Sequence, residues 1–337
     1  MRHWKKFVKV LALLSIWYTP NIGSRTWSIS SNPLIAKEKK EDRPVAPIYI
    51  ALSIQWEGDS LMDYNLKSIE QIRKVSPGFP ITHFISPAYF LKPRANIPEV
   101  KQKINSHISS TDSVGIHLSA WKSVLDASTV ALKQDEPTFW GNKISQVNCA
   151  VDCGDSIALS SYSREEIDKI VTTSLATLES NGFIDIKSYI VKGWMDDRKI
   201  IDAAANRGLK YDFSPIALHL IRKRISNYPI YQKLAGIWPH ISPYTQPFNV
   251  QTKNHKEITQ IAGGAAMVDY MTTEEIDVLF KAYLARKAAN PNRPLVFRLG
   301  MYQETANQYG SRFISALKRI LATASKHQVN IKPLKLK

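Results

Sequence analysis

Residues 48–59 read IYIALSIQWEGD, and this stretch decides the fold class. Its first eight residues are mostly apolar and rich in β-branched side chains, which is typical of a short buried strand. The apolar residues of 63–75 recur at helical spacing, and 81–86 again has the composition of a strand. The three segments together predict a β-α-β unit at the start of the folded domain.

The same alternation of strands and helices continues along the chain. Strand-like runs occur at 113–118, 186–191 and 295–301, with helical segments between them. Ser163 and Glu166 predict a capping box at the start of one long helix. Strands separated by helices pair in parallel, so the sequence predicts an α/β fold, either a barrel or a doubly wound sheet.

The amino terminus has the pattern of a signal peptide. Basic residues precede a short apolar run at 10–18, and no acidic residue occurs before Glu38. The run is too short to span a bilayer, so residues 1–24 are predicted to be a signal peptide and 25–46 a linker. The remaining residues, 47–337, suit one large α/β domain. These features predict export to the periplasm or the extracellular space.

The charge of the chain points to an anionic partner. Lys and Arg number 45 against 29 Asp and Glu, which gives a formal net charge of +16. Most of this positive charge remains after removal of the predicted signal peptide. No other apolar run in the sequence is long enough to span a membrane. Export makes nucleic acid a less favoured partner for a basic chain, so we expect anionic envelope surfaces or glycans as partners, and no nucleic acid.

The two cysteines, Cys149 and Cys153, are separated by three residues. Two thiolates with no histidine nearby cannot complete a tetrahedral zinc site. In an oxidising compartment, a disulfide that closes a short loop is the favoured interpretation, and two free thiols are the alternative.

Four sequence motifs follow predicted strands, where an α/β barrel carries its functional residues. They are SIQWEGD at 53–59, GIHLSAW at 115–121, SYIVKGWM at 188–195 and GMYQETA at 300–306. In order and spacing these motifs resemble the polysaccharide deacetylases of carbohydrate esterase family four, the NodB-homology family. The resemblance is greatest to the branch whose first motif reads Asp-Val-Glu-Gly-Asp and whose last reads His-Gln-Glu-Thr-Ala. It implies an irregular (β/α) barrel of about seven strands.

The resemblance also implies a chemical mechanism. In the family, a divalent metal held by one carboxylate and two histidines polarises an acetamide and activates water, and an aspartate takes the proton. A late histidine then protonates the leaving amine, and an arginine orients the base. Glu57 matches the acidic metal ligand, and His117 matches the first metal-binding histidine. These two residues are therefore the candidate metal ligands.

The other four roles fall on residues of different chemistry. Gln55 stands at the base position, and a carboxamide has no useful proton affinity near neutral pH. Trp121 replaces the second histidine, and its indole offers no lone pair to a metal. Ile190 replaces the orienting arginine, and Tyr302, a poor acid with an ordinary pKa of about 10, replaces the late histidine. We therefore expect no intact catalytic residue and no cofactor, with zinc or a similar divalent metal only if the site still works.

Aromatic residues around the same motifs suggest a sugar-binding groove. Pyranose rings stack on aromatic faces, and four aromatic positions map to the predicted barrel mouth. The alternative is that these rings belong to the hydrophobic core. The predicted substrate-binding residues are Trp56, Trp121, Trp194, Tyr302, Gln303 and Glu304.

Three functions are compatible with this sequence. The first is a secreted or envelope-associated homologue that has lost deacetylase activity and binds N-acetylated glycan, such as peptidoglycan or a chitin-like polymer. The second is an active metal-dependent N-deacetylase whose lost roles have moved to neighbouring residues. The third is a protein-interaction scaffold that uses its basic surface. The candidates for the relocated roles are Asp59, Asp63, His83 and Glu304, and the basic surface includes Arg222, Lys223 and Arg224.

Overall fold

A mainly parallel β-sheet forms the centre of the domain. The computed structural model describes residues 45–146, 149 and 151–336. The predicted signal peptide and most of the predicted linker lie outside the described residues, and the first strand begins at Ile48, as expected. The strands are β1 (Ile48–Trp56), β2 (Ile81–Ile85), β3 (Ser113–Leu118), β4 (Ser188–Val191), β5 (Tyr211–Asp212), β6 (Phe248–Gln251), β7 (Glu257–Gln260), β8 (Ala266–Met267), β9 (Leu295–Tyr302) and β10 (Ile331–Pro333).

Helices connect these strands and cover the outer surface of the sheet. Ser163 and Glu166 form the predicted capping box, in which each side chain binds the backbone N–H of the other residue. Thr272 and Glu275 form a second one. The helices are α1 (Asp63–Val75), α2 (Ala88–Leu91), α3 (Ile97–Asn105), α4 (Lys122–Ala127), α5 (Arg164–Ser180), α6 (Arg198–Asn206), α7 (Leu218–Ile225), α8 (Pro229–Ile237), α9 (Thr273–Ala289) and α10 (Ala306–Lys326).

The strands follow the order β6-β7-β5-β4-β3-β2-β1-β9-β8, and β10 pairs with the beginning of β1. Every pairing among the described strands is parallel except the hairpin of β6 and β7. The predicted α/β class with parallel strands is therefore confirmed, and the sheet is curled into a half-barrel.

The chain that leaves β7 brings the two sides of the curled sheet together. The carbonyl of Gly263 accepts a hydrogen bond from the backbone N–H of Arg298 in β9, at 2.9 Å. A Cβ on residue 263 would lie 2.1 Å from the carbonyl oxygen of Val296, so only glycine fits. The buried guanidinium of Arg298 donates to the carbonyls of Phe213 (2.6 Å) and Ile261 (2.5 Å), which fastens β9 to the chain after β5 and β7.

Alternating side chains of the sheet build two separate apolar clusters. Ile54 and Trp56 of β1 pack in the layer between the sheet and the helices, whereas Gln55 points into the barrel. Phe84, Phe213 and other rings fill the barrel interior. Burial of each such large side chain stabilises the fold by about 1.5–3 kcal/mol. The interior is therefore packed below the mouth, and access from solvent is limited to the carboxyl ends of the strands.

Candidate functional site

The carboxyl ends of four strands bring the predicted motif residues to one edge of the sheet. Gln55 of β1 pairs with Tyr302 of β9, and His117 of β3 pairs with Ile190 of β4. This edge is the barrel mouth, where parallel α/β barrels carry their functional groups. The register that the resemblance implies thus places these four positions at one end of the barrel.

An internal ion pair occupies the centre of the mouth. The Lys192 ammonium lies 2.7 Å from Oε1 of Glu57 and 3.4 Å from Oδ2 of Asp155. The side chains of Lys192 and Glu57 are only 15% and 18% exposed. Burial opposes the charge on Lys192, but the Glu57 and Asp155 carboxylates outweigh burial and raise its pKa above the ordinary value. The lysine is therefore a permanent cation at the mouth.

Lys192 and Asp155 are residues of the candidate site that the sequence interpretation missed. Lys192 comes two residues after Ile190, in a short 3₁₀ turn that contains Gly193 at φ +65°. The turn directs the lysine toward Glu57. Its position directly after a strand end was the one available signal, because the resemblance gives this position no role.

His117 is fully buried and lies beside the same carboxylate. Its Nε2 atom is 4.0 Å from Oε1 of Glu57, too far for a hydrogen bond, and neither ring nitrogen has a hydrogen-bond partner among the described residues. Burial, and then the positive charge of Lys192, lower the pKa of His117 well below its usual value. The imidazole is therefore neutral, with its ring nitrogens unpaired.

Trp121 lies where the resemblance implies a second histidine. Its Nε1 donates to the backbone carbonyl of Glu57 at 2.7 Å, and the Lys92 ammonium lies 4.3 Å from the centroid of the ring. The ring of Trp121 thus faces the site, where it supplies a hydrogen-bond donor and an apolar surface but no metal ligand. Its indole nitrogen has no lone pair available to a metal.

The donor set does not fit a divalent metal. Glu57 and His117 are two ligands, and the ammonium of Lys192 binds the Glu57 carboxylate. Asp155, another carboxylate at the mouth, binds the same ammonium. Zinc in proteins is held by at least three side chains, and within the described residues no group of three His, Cys, Asp or Glu side chains could hold a metal.

Two positions, those that the resemblance assigns to the base and to the orienting arginine, have apolar surroundings. Gln55 is buried, and its amide nitrogen has a weak contact of 3.7 Å with the sulfur of Met267. Ile190 is fully buried in the cluster that fills the barrel interior. Neither side chain can transfer a proton.

A buried carboxyl group lies next to Tyr302. The backbone N–H of Tyr302 donates to Asp269 at 3.3 Å, and the hydroxyl of Thr305 also donates to this carboxyl group. Burial raises the pKa of Asp269 to about 7. Burial, together with the nearby phenol of Tyr270 and the Glu57 charge, raises the pKa of Tyr302 well above its usual value, so the phenol keeps its proton near neutral pH. Asp269 was missed because the strand before it has only two residues.

Gln303 and Glu304 hold the loop after β1 in place. Oε1 of Glu304 accepts from the backbone N–H of Glu57 at 3.0 Å and from the hydroxyl of Tyr89. Burial, and then the Glu57 charge, raise the pKa of Glu304 to about 7. Gln303 is fully buried, with its amide beside Ser60 and Tyr89. The structure thus gives both residues a supporting role, and the prediction that Gln303 contacts substrate is corrected.

Two of the predicted sugar-stacking rings are core residues. Trp56 is fully buried, and its indole donates to Nδ1 of His83 at 3.1 Å, on the face of the sheet that the helices cover. Trp194 is buried against Tyr270 and Tyr302, with ring centroids 5.5 and 6.3 Å away. These two predictions are wrong, because a ring enclosed on both faces cannot receive a sugar. Trp121 and Tyr302 are nearly buried at the mouth itself.

Most candidates for relocated catalytic roles lie away from the mouth. His83 binds Asp112 through Nε2, at 3.3 Å, in the outer layer. The Asp63 carboxylate is exposed and forms an ion pair with Lys103. Asp59 is exposed at the edge of the site, where its backbone N–H is 3.4 Å from Glu304. Glu304 is therefore the one candidate of the four whose side chain lies buried beside Glu57.

The predicted disulfide is confirmed. Cys149 and Cys153 are bonded, with Cα atoms 5.3 Å apart. The loop that carries this bond is fixed to α4, because Asp152 accepts from the backbone N–H (3.1 Å) and the hydroxyl (2.6 Å) of Ser123. Two residues beyond the disulfide, the loop supplies Asp155 to Lys192.

Comparison with known proteins gives similarity to solved structures alone. No family model and no curated protein sequence matches the chain. A protein of Mycobacterium smegmatis described as a polysaccharide deacetylase aligns with a TM-score of 0.48 and 11% identity, over 88% of this chain and 99% of that one. A family 4 carbohydrate esterase from Streptomyces lividans aligns with a TM-score of 0.41 and 8% identity, over 86% and 93%.

A third solved structure is a family 4 pseudoenzyme from Bacillus anthracis. It aligns with a TM-score of 0.39 and 11% identity, over 87% of this chain and 69% of that one. The chain is thus similar in structure to polysaccharide deacetylases of carbohydrate esterase family four, the family that its sequence motifs resemble.

Proposed function

We propose that this chain is a polysaccharide deacetylase-like protein that binds glycan at the barrel mouth and does not carry out metal-dependent deacetylation. The observation that carries the proposal is the Lys192–Glu57 ion pair. A divalent metal at this position would need the carboxylate of Glu57, which already binds an ammonium group.

Electrostatics add to this competition. The charge of Lys192 acts on His117 and lowers its pKa, so the same charge repels a metal cation from the two remaining ligands. Trp121 supplies no third ligand, and Gln55 no proton acceptor. Binding of a metal would require displacement of Lys192 from a buried ion pair, which costs several kcal/mol.

The exposed part of the mouth suits a neutral or N-acetylated sugar. Lys192, Glu57 and Asp155 are each partly exposed, so they present both donors and acceptors to solvent. Sugar hydroxyl and acetamido groups also donate and accept hydrogen bonds, and bonds to charged partners are the strong ones. We propose peptidoglycan or a chitin-like polymer as the glycan, in keeping with the motif resemblance.

We further propose that the protein works in the periplasm or the secreted space. The predicted signal peptide and the Cys149–Cys153 disulfide support this location, because disulfides persist in oxidising compartments. None of the helices in the described part of the chain is both long and apolar enough to cross a membrane. The basic net charge favours the anionic surfaces of a cell envelope.

The proposal is tested by three measurements on the purified protein: retention on insoluble peptidoglycan and chitin, zinc or cobalt stoichiometry, and acetate release from N-acetylglucosamine oligomers. We expect retention without bound metal and without acetate. Tight metal binding together with acetate release would overturn the non-catalytic part, and absence of retention on either polymer would overturn the glycan part.

An active N-deacetylase with relocated groups is the second candidate function. The observation in its favour is the presence of two carboxyl groups, Asp269 and Glu304, whose pKa is raised to about 7 by burial at the mouth. A group with such a pKa can exchange protons at neutral pH. The acetate assay decides between this candidate and the first one.

A protein-interaction scaffold is the third candidate. Arg222, Lys223 and Arg224 are exposed on α7, and Lys223 forms an ion pair with Glu275. Exposed basic residues on a helix most often form a solvated face, so this surface adds less to the choice of function than the mouth does.

A further inference from the structure

Two exposed aromatic rings form a pair near the barrel mouth. Trp140 is 50% exposed and Tyr228 is 43% exposed. Their ring centroids are 5.0 Å apart, and the ring planes meet at 84°. Trp140 lies in the connection after β3, and Tyr228 lies in the connection after β5. Both connections leave the carboxyl ends of parallel strands, so the pair belongs to the mouth side of the sheet.

The backbone around Trp140 is held in a tight turn. The backbone N–H of Thr138 donates to the carbonyl of Asn142 at 2.8 Å, and Pro137 and Lys143 form an antiparallel bridge. Gly141 completes the turn at φ +94°, a conformation that favours glycine. Trp140 is therefore presented at the tip of an ordered turn.

A second set of contacts fixes this turn to the segment that carries Tyr228. The backbone N–H of Ile230 donates to the carbonyl of Phe139 at 3.1 Å. A Cβ on residue 141 would lie 3.3 Å from the ring of Pro229, so the two segments are in close contact. The two rings are thus positioned by backbone bonds rather than by their own contact alone, and the pair exists before any ligand binds.

The pair is continuous with the Lys192 site. The backbone N–H of Phe139 donates to the carbonyl of Ser156 at 2.8 Å, and Ser156 follows Asp155. The ring of Phe139 packs on Gly193, where an added Cβ would lie 2.9 Å from it, and Gly193 follows Lys192. Trp140 therefore follows a residue whose backbone binds Ser156 and whose ring contacts Gly193, the neighbours of Asp155 and Lys192.

We infer that Trp140 and Tyr228 form a carbohydrate-binding subsite that stacks a pyranose ring of a glycan chain. This inference rests on the proposed function and names the part of the surface that holds the sugar. The faces of the two aromatic rings match the apolar C–H face of a pyranose. The remaining sugars of the bound glycan then extend toward Lys192 and Asp155.

The surroundings of the two rings favour a sugar over a protein partner. Most exposed neighbours along the chain are polar, namely Asn142 and Lys143 near Trp140 and Ser226 and Asn227 before Tyr228, and the exposed Pro229 is the apolar exception. A small apolar patch with amide groups at its edge matches a pyranose, which has one apolar face and a rim of hydroxyl groups. A protein partner is recognised by larger, fully desolvated apolar patches.

The inference is tested with Trp140→Ala, Tyr228→Ala and Trp140→Phe, and with Ile184→Ala as the matched control. Ile184 is 78% exposed and lies just before the amino end of β4, whereas the mouth lies at the carboxyl ends of the strands. Binding of N-acetylglucosamine oligomers is measured by calorimetry, and retention on peptidoglycan by sedimentation. We expect about a tenfold loss of affinity for Trp140→Ala and a smaller loss for Tyr228→Ala. Trp140→Phe should restore most of the affinity, and Ile184→Ala should match the wild type.

The outcomes separate this inference from the proposed function. If the wild type binds glycan and both alanine variants bind equally well, the subsite is overturned and the proposed function stands. If the wild type binds neither the oligomers nor peptidoglycan, both are overturned. Because both side chains are half exposed, the variants should keep the thermal stability of the wild type, and this is checked by circular dichroism.

Discussion

The ammonium of Lys192 lies 2.7 Å from the carboxylate of Glu57, and the same carboxylate oxygen is 4.0 Å from Nε2 of His117. A lysine therefore supplies the positive charge at the position where the motif resemblance implies a metal ion. The lysine neutralises the Glu57 carboxylate, which would otherwise be a nearly buried charge without a counter-ion.

The first prediction concerns the strength of this ion pair. We expect Lys192→Met to destabilise the fold by about 2–4 kcal/mol, because it leaves the nearly buried Glu57 without a counter-ion. Glu57→Gln together with Lys192→Met should recover part of the loss. Urea denaturation of the wild type, Lys192→Met, Glu57→Gln and the double variant gives the coupling energy between the two side chains. We expect this energy to be about 1–3 kcal/mol.

Lys103→Met is a matched control for this experiment. Lys103 forms ion pairs with Asp63 and Glu99, whose carboxylates are largely exposed. Exposed pairs contribute about 0–1 kcal/mol. A loss at Lys192 no greater than the loss at Lys103 would contradict the structural importance of the internal pair.

The second prediction concerns metal affinity. Trp121→His places an imidazole on the side chain position that already faces Glu57, and Lys192→Ala removes the competing ammonium. We expect the double variant to bind zinc, with Glu57, His117 and the new imidazole as three ligands. Trp121→His alone should bind at least tenfold more weakly, because the lysine charge remains. Competition with a chelating dye measures the two affinities.

Equal zinc affinity in the single and double variants would show that Lys192 does not compete with a metal. His117→Ala in the double-variant background is the control, since loss of one of three ligands should abolish binding. The readout needs no catalytic activity, so it stays informative even if the missing base at Gln55 keeps the variant inactive.

The strand ends of this protein are predictable from sequence, and the ion pair is not. Parallel pairing with an alternating pattern places Gln55 beside Tyr302 and His117 beside Ile190, as the resemblance implies. The approach of Lys192 to Glu57 instead depends on the turn at Gly193 and on a contact between residues far apart in the chain. The local sequence pattern predicts neither the conformation of this turn nor a contact between distant residues.

The errors over the aromatic residues have a different physical cause. Successive side chains of a strand point to opposite faces, so Gln55 and Trp56 cannot both face the barrel mouth. The alternation in β1 was therefore enough to assign Trp56 to the helix layer. Trp140 could not be assigned in this way, because it lies in an irregular connection with no repeating pattern.

The third prediction concerns His83, which was a candidate for a relocated catalytic role. It accepts from Trp56 at 3.1 Å and binds Asp112 at 3.3 Å, and burial lowers its pKa. We expect His83→Ala to destabilise the fold by about 1–3 kcal/mol, because it leaves the buried indole N–H without a partner. Glycan affinity of the folded fraction should be unchanged. A selective loss of glycan binding at full stability would contradict the structural role.

The fourth prediction concerns the protonation of Asp269. The pKa of this carboxyl group is about 7 in the folded protein, against an ordinary value of 3.8, because burial disfavours the charged form. Below the ordinary pKa, both folded and unfolded chains hold the proton. Between about pH 4 and pH 7 the unfolded chain gives the proton up first, so this contribution to stability is lost as the pH rises. Above about pH 7 it stays constant.

Asp269→Asn removes this titration and keeps the shape of the side chain. Its one amide oxygen accepts from the backbone N–H of Tyr302, and its amide nitrogen donates to the Thr305 hydroxyl, as a protonated carboxyl group would. The wild type should therefore lose stability relative to Asp269→Asn between pH 5 and pH 8, by up to about 3 kcal/mol. Buried groups shared by both proteins, such as His83, His117 and Glu304, cancel in this difference. Urea denaturation at four pH values measures it, with Asp135→Asn, at an exposed carboxylate, as the control variant. Parallel curves for wild type and Asp269→Asn would mean that Asp269 is already ionised at pH 5, and that the mouth holds one more negative charge for Lys192 to balance.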